Sequence, residues 1–284
     1  MATLHLPPAL RRFLRQPAAV AGALVLLGVV SLAATADLIY PGDPFDIVGR
    51  PYLPPFTDGH LLGTDTLGRD IAAGVVHGAR VSLLIGTLTA VLVTAIAILI
   101  GGAAGYLGGK VDDALMRFTE LFQTIPSFLF AIVVVAILEP SLETVVGAII
   151  IVSWAPLARL VRAEVVGLRS REYVQAAIAM GMRDASVLGR QILPNALPAI
   201  LVAASVMVAT AILFESGLSF LGLGDPNVMS WGLMIGAGRA AIRTAWWMSG
   251  IPGIAILLTV LSINLVGDGL NEALNPRVAT GSGR

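Results

Sequence analysis

Glu215 is the residue whose position in this chain most suggests chemistry. It follows 24 uncharged residues and precedes another apolar stretch. An acid in such a place is costly in a membrane and usually faces protein or water. We expect Glu215 to line a polar pathway or to hold an outer gate by pairing with an arginine, and Trp231 is a second candidate for that role. The structural alternative is a carboxylate near the outer headgroups that caps an interfacial turn.

Residues that would support thiol, metal or nucleotide chemistry are absent or scattered. Cysteine is missing, which excludes disulfides, thiolate zinc sites and cysteine nucleophiles. His5, His60 and His77 have no carboxylate or thiol clustered around them in the sequence, so we predict no metal site. Gly105–Lys110 resembles a phosphate loop superficially, but that loop requires serine or threonine after its lysine, and valine follows here. We therefore predict no catalytic residue, no cofactor and no nucleotide binding in this chain.

The composition is that of a membrane protein. Of 284 residues, 56% are hydrophobic and 13% are charged, whereas a soluble domain carries about a quarter charged residues. A soluble fold must cover its surface with polar groups, so core burial does not explain this shortfall. The formal net charge is zero, which gives no reason to expect a nucleic acid as partner.

Six apolar runs between successive charges are candidate membrane spans, since a spanning helix needs roughly 20 apolar residues. They cover residues 18–36, 81–109, 121–138, 144–158, 191–214 and 244–267. The fourth is short, and we expect it to continue past Arg159 while that side chain reaches the headgroups. The first resembles a cleavable signal peptide but is longer than a usual signal core. The prediction is an all-α integral membrane protein with six transmembrane helices.

The basic residues predict that both termini face the cytoplasm, because cytoplasmic segments carry an excess of lysine and arginine. With the N-terminus inside, the inner segments hold Arg11, Arg12, Arg15, Lys110, Arg117, Arg159, Arg162, Arg169, Arg171, Arg183, Arg190, Arg277 and Arg284. The outer segments hold Arg50, Arg69, Arg80, Arg239 and Arg243. The predicted order is a cytoplasmic N-terminal segment 1–17, a first span 18–40, an extracytoplasmic segment 41–80, a membrane core 81–270 with a cytoplasmic loop 165–191, and a cytoplasmic tail 271–284.

Short helices and turns are expected outside the spans. Residues 37–80 begin with proline and glycine turns and then favour a short interfacial helix near Ile71–His77. Ser230–Ala241 is apolar but too short to span, so we expect a helix in the interface, where Trp231, Trp246 and Trp247 would fit an aromatic belt. Small residues along the second span favour close helix packing, with a gating hinge as the alternative: Gly101, Gly102, Gly105, Gly108 and Gly109.

The inner loop Val165–Gln191 is polar and helical in pattern. Its first helix has an apolar stripe at positions i, i+3, i+4 and i+7, formed by Tyr173, Ala176, Ala177 and Met180. Glu172 and Gln175 lie off that stripe. We expect Gly181 to end this helix and Asp184 to cap a second short one. The pattern fits either an amphipathic loop lying on the bilayer or a helix pair gripped by a partner protein.

The string Tyr173–Ala177, followed by Gly181 and then by Leu193-Pro194-Asn195, resembles the EAA loop of binding-protein-dependent ABC importer permeases. Gln175 stands where the family's name-giving Glu would be, and Gln191 replaces the usual isoleucine. The resemblance implies that the loop is a coupling helix seated in a cleft of an ATPase subunit. The residues it implicates are Glu172, Tyr173, Gln175, Ala176, Ala177, Gly181, Leu193 and Pro194.

Three further groups of strings resemble the peptide/nickel permeases. They are Leu61–Asp65 with Gly68–Asp70 and Gly78–Leu83, Glu215–Gly224 with Ser230–Gly232, and Asn264–Leu270 with Asn275–Arg277. From about Arg12 to Arg277 the chain is similar to the C-type permease of dipeptide and oligopeptide importers. Glu120 departs from it, since that family commonly has Asp there.

This resemblance implies a type I ABC importer permease fold and a transport subunit rather than an enzyme. The implied setting is the bacterial inner membrane, with a B-type sister permease, two nucleotide-binding ATPase subunits that hold ATP and magnesium, and an extracytoplasmic solute-binding protein. The implied cargo is a peptide, with a nickel chelate or other small solute as the alternative.

Two other classes fit the residues less well. A proton-coupled secondary transporter would need several membrane acids or histidines, and only Glu215 lies well inside a span. An intramembrane enzyme would need a nucleophile–base pair or a metal cluster within the spans, and the sequence shows neither.

Overall fold

The computed structural model describes residues 8–274, and in that range the chain is helical with no β-strand. The helices are α1 (Pro8–Phe13), α2 (Pro17–Ala34), α3 (Ala36–Ile39), α4 (Ile71–Leu107), α5 (Gly109–Thr124), α6 (Ser127–Leu138), α7 (Leu142–Arg169), α8 (Glu172–Ala179), α9 (Asp184–Ser186), α10 (Leu193–Phe220), α11 (Trp231–Gly238) and α12 (Trp247–Leu274). A π-helical turn, Val187–Ile192, joins α9 to α10. Most of the predicted tail 271–284, the signature Asn275–Arg277 and the start of segment 1–17 lie outside the described residues.

Five helical stretches of residues 8–274 are long and apolar enough to cross a membrane: α2, α4, α7, the continuous stretch Asp184–Phe220 and α12. The pair α5 and α6 passes the same test only jointly, and the two helices are bent by 79° at a short break. Counting that pair as one crossing gives six spans. The predicted all-α membrane fold is confirmed.

The third predicted span, residues 121–138, is not a single helix. Ile125 is extended, with φ −95° and ψ 132°, and Pro126 follows it. Proline has no backbone N–H and disfavours helical conformation in the residue before it, so α5 ends at Thr124 and α6 begins at Ser127. With 12 residues, α6 is about 18 Å long, which is too short for a hydrocarbon core of about 30 Å.

Two other spans are longer than their apolar runs. The second begins at Ile71, where the Asp70 side chain accepts hydrogen bonds from the N–H groups of Ala72 and Ala73. The short interfacial helix expected near Ile71–His77 is therefore the first two turns of α4 and not a separate element. The fourth span continues past Arg159, as expected, and ends at Arg169.

Helices α4 and α7 form the central pair, and glycine allows their close approach. A Cβ on Gly101 would collide with the carbonyl oxygen of Ala158, and one on Gly105 would lie 2.8 Å from the carbonyl oxygen of Arg162. Here the structure agrees with close packing. Gly108 and Gly109 have φ of +68° and +54°, so they turn the chain from α4 into α5 instead.

The segment before α4, predicted to be extracytoplasmic, is folded onto the start of that helix. The buried Thr64 hydroxyl donates to the Arg50 carbonyl and accepts from the N–H of Leu53, at 2.5 and 2.9 Å. His60 Nδ1 lies 2.7 Å from Asp70 Oδ2. These contacts give an irregular segment a defined shape without a strand.

Candidate functional site

The loop between α7 and α10 is a helix, a glycine turn and a second short helix. Helix α8 covers Glu172–Ala179, and Gly181 follows with φ +79°, a left-handed conformation that favours glycine. The N–H of Met182 donates to the Ala177 carbonyl across this turn. The chain then passes through α9 and the π-helical turn directly into α10, so the loop is continuous with a membrane span.

One face of the loop is buried against the spans. Val174, Ala177, Val187 and Ile192 have almost no exposed surface. Val174, Val187 and Ile192 belong to a single apolar cluster together with Tyr106 of α4 and Trp154, Val161 and Val165 of α7. Close-packed interiors transmit displacement, because their side chains have no free space to absorb it. The loop is therefore fixed to the ends of α4 and α7.

The opposite face is open. Tyr173 is 43% exposed and Met180 is 79% exposed, and Glu172, Gln175 and Ala176 are also exposed. Ala177 was expected on this face, but it is 3% exposed and packs inward with Val174. The predicted stripe mixes two faces because apolar residues occur on both sides of α8.

Of the predicted coupling residues beyond α8, Gly181 and Pro194 are exposed, and Leu193 is half-buried.

Two side-chain hydrogen bonds supplement this packing. The Tyr106 hydroxyl donates to Asp184 Oδ1 at 2.6 Å, and Gln175 Nε2 donates to the Arg169 carbonyl at 2.9 Å. The Arg169 guanidinium lies over the Tyr106 ring, 5.4 Å from its centre. The expected capping role of Asp184 was wrong: Arg183 is the N-cap residue of α9, and the Asp184 carboxylate binds Tyr106. Tyr106 was missed because 78 residues separate it from its partner.

Glu215 lies at the other end of the molecule and is 3% exposed. Its Oε1 accepts hydrogen bonds from the hydroxyls of Ser219 and Ser230, at 2.8 and 2.7 Å. The expected arginine partner is absent among the described residues' hydrogen bonds to this carboxylate. Ser230 also accepts from the N–H of Leu233 and so caps α11. The carboxylate thus joins α10 to the start of α11.

Trp231 is buried beside this joint. It is 1% exposed, its N–H donates to Ser82 Oγ at 3.1 Å, and its indole Nε1 donates to the Val75 carbonyl at 2.9 Å. Trp231 is therefore packed inside the protein and not exposed as a belt residue would be. The same holds for Trp247, which is buried with its indole Nε1 donating to the Thr64 carbonyl. Trp246 is exposed, as a belt residue would be. Helix α11 does not lie free in the interface, because Trp231 and Gly232 at its start are both buried.

We use the name outer joint for Glu215, Ser219, Ser230, Trp231 and Gly232. A Cβ on Gly232 would lie 2.7 Å from both carboxylate oxygens of Glu215, so only glycine lets α11 approach this closely. Within residues 8–274, no group of three or more histidine, cysteine, aspartate or glutamate side chains is arranged to hold a metal ion.

Known proteins resemble this chain over nearly its whole length. Residues 97–280 match the family described as the inner membrane component of binding-protein-dependent transport systems, and residues 8–55 match the N-terminal TM domain of oligopeptide transport permease C. The di/tripeptide transport system permease protein DppC of Pseudomonas aeruginosa is 39% identical over 94% of this chain and 90% of its own. The oligopeptide transport system permease protein OppC of Haemophilus influenzae is 36% identical, over 94% and 87%.

A solved structure has the same fold. An inward-facing form of the MetNI methionine ABC transporter matches with a TM-score of 0.61, over 71% of this chain and 96% of the matched chain. At 16% identity, this likeness concerns the fold alone.

Proposed function

The chain belongs to the family of inner membrane components of binding-protein-dependent transport systems, and we propose that it is the C-type permease subunit of an ATP-driven importer of dipeptides or oligopeptides. It is a multi-pass ABC transporter permease similar to peptide permeases over 94% of its length. Its partners in this proposal are a B-type sister permease, two ATPase subunits and an extracytoplasmic solute-binding protein. ATP and magnesium would be bound by the ATPase subunits, and both termini would face the cytoplasm.

The observation that carries the coupling part of this proposal is the two-sided construction of the loop. Tyr173, Ala176 and Met180 present an open apolar face, and large exposed apolar surfaces mark protein interaction sites. The other face is packed against Tyr106 and Val165. A force applied to the open face therefore reaches α4 and α7 through close-packed contacts. Closure of the ATPase subunits on ATP would move the loop, and the spans would follow.

We also propose that the outer joint holds the extracytoplasmic side of the permease closed. Glu215 and Trp231 connect α10 and α11 to α4, and both are buried, so they do not line an open channel in this conformation. A gate held by neutral hydroxyl donors can separate at a lower cost than one held by a buried ion pair.

Obstructing the open face tests the coupling proposal. Ala176→Trp places a large side chain at the centre of that face, away from the buried Val174 and Ala177. We expect normal insertion, retention of the sister permease, and a loss of ATPase association or of substrate-stimulated hydrolysis of about tenfold or more, since a few central contacts dominate an interface. Copurification and ATP turnover in liposomes with binding protein and peptide would measure this.

The matched control is Ala136→Trp, which makes the same change at an exposed alanine on α6. It should keep ATPase association and turnover near the unmodified level. Full association and turnover in Ala176→Trp would show that this loop is not the docking element.

A further inference from the structure

We call the loop between α7 and α10, residues 170–192, the coupling loop. Helix α5 exposes a row of polar side chains that neither this loop nor the outer joint uses. We call this row the polar strip; it consists of Asp113, Arg117, Glu120, Gln123 and Thr124, all exposed. Asp113, Arg117, Glu120 and Thr124 follow one another at intervals of four, three and four, which places them on one side of the helix. The opposite side carries the buried Thr119 and packs towards α7.

The C-terminal part of this strip, from Glu120 to Thr124, is the part closest to the middle of the spans. Phe118 and Phe122 contact Trp154 of α7, with ring centres 5.8 and 5.1 Å apart. Trp154 is 11 residues along α7 from the exposed Glu143, and a rise of 1.5 Å per residue puts it about 16 Å from that end. A hydrocarbon core is about 30 Å thick. With Glu143 taken as the outer edge of that core, Glu120, between the two phenylalanines, lies at a depth where lipid surrounds an ordinary span.

A second charged side chain lies nearer the inner end of α7. Arg159 is exposed on α7, and its Nη1 donates to Gln123 Oε1 at 2.7 Å. It lies 16 residues from Glu143, or about 24 Å along the helix. This hydrogen bond joins α7 to the strip. Charged side chains within the membrane face protein or a water-filled cavity, because exposure to lipid is costly.

The break in the third span is a further feature that needs protein cover or water. Ile125 and Pro126 are exposed, and they interrupt the backbone hydrogen bonding between α5 and α6. Irregular backbone at membrane depth is tolerated only where protein covers it or where it lines a water-filled cavity. In this chain the break directly follows Gln123 and Thr124, so the irregular backbone adjoins the polar side chains along the chain.

We propose that the polar strip and Arg159 line the solute pathway and contact the two charged ends of a zwitterionic peptide as it passes. This inference rests on the proposed transport function and adds the residues that line the solute pathway. Asp113 and Glu120 suit an ammonium group, and Arg117 and Arg159 suit a carboxylate. The two acids and two arginines sum to zero charge, so both ends of a neutral zwitterion find groups of opposite charge along the helix. No single site then binds the peptide tightly enough to retain it.

Cysteine accessibility tests this assignment, because the chain has no cysteine of its own. Thr124→Cys puts a thiol on the strip, and Leu121→Cys puts one on the adjacent exposed apolar side of the same helix. Both would be introduced into the complete transporter and treated with a charged thiol reagent from the ATPase side. We expect the thiol at position 124 to react at least about tenfold faster, since the reactive thiolate requires water. Trapping the ATPase subunits closed should slow that reaction.

The controls separate this inference from the transport proposal. If the unmodified complex transports a dipeptide but both thiols react equally slowly, the strip faces lipid or the sister permease and the inference is wrong. If the thiol at position 124 reacts rapidly but trapping does not change its rate, the strip lies on the cytoplasmic surface outside the pathway, which also overturns it. Absence of dipeptide transport by the unmodified complex would contradict the proposed function instead.

Discussion

The coupling loop and the outer joint sit at opposite ends of the fold and differ in how their polar and apolar groups are satisfied. The loop buries one face against Tyr106 and Val165 and leaves the other face exposed. In the outer joint the side chains are buried, and the hydrogen bonds of Glu215 and Trp231 are made to other residues of this chain. The open face of the loop is available to the ATPase partner that we propose, whereas every hydrogen bond described for the joint lies within this chain.

This difference indicates where the two ends are sensitive. If the loop docks as we propose, we expect a substitution on its open face to change assembly or coupling and to leave the fold intact. A substitution in the outer joint should act first on the fold. Displacing a packed or hydrogen-bonded interior group lowers the free energy of unfolding. Changing an interface residue weakens the binding of the partner instead.

The largest effect on the fold is expected from Gly232→Val. Its Cβ would lie 2.7 Å from both Glu215 oxygens and 2.8 Å from Ser216 Cα, so α11 would have to move away from α10. Overpacking of this kind costs about 3 kcal/mol, and we expect a large drop in the thermal unfolding midpoint in detergent. Gly253→Val is the control, because a Cβ there meets nothing within 4 Å. Equal midpoints for the two variants would show that the joint is not tightly packed.

A smaller effect, at the boundary between fold and coupling, is expected from Tyr106→Phe. It keeps the ring beneath Arg169 and removes the hydroxyl that Asp184 accepts. Loss of this hydrogen bond costs about 1–2 kcal/mol. The loop is then attached less firmly to α4 and should transmit less of its movement to the spans. We expect an intact complex in which fewer peptides are transported per ATP hydrolysed. Tyr52→Phe, which makes the same change at an exposed tyrosine outside the loop, should leave that ratio nearly unchanged. A ratio equal to the unmodified one in Tyr106→Phe would make the hydrogen bond dispensable for coupling.

The sequence was sufficient for the spans and for the position of the loop because both depend on local patterns. Apolar runs between charges identified the five long spans and part of the bent pair α5–α6, and Gly181 marked the end of α8. The break at Pro126 was also visible locally, but a count of apolar residues does not use the conformational restriction that proline imposes.

Contacts between distant segments were not predictable in the same way. Periodicity placed Ala177 with Tyr173, but it does not say which side of a helix meets the rest of the chain. Glu215 was recognised as unusual, yet its partner Ser230 is 15 residues away across a turn and belongs to another helix. An arginine partner was the natural expectation for a lone membrane acid, and hydroxyl donors from two helices replaced it.

The smallest effect is expected from Glu215→Gln, and it separates the charge of the outer joint from its hydrogen bonds. The amide has the shape of the carboxylate, and its oxygen can still accept from Ser219 and Ser230. We therefore expect the free energy of unfolding to change by no more than about 1 kcal/mol, with dipeptide uptake close to normal. Glu215→Ala is the contrasting variant: it removes the acceptor, leaves both hydroxyls without their partner and should lower the unfolding midpoint clearly. If Glu215→Gln folds normally but loses uptake, the negative charge itself acts during transport, and the outer joint would then be more than an internal fastening.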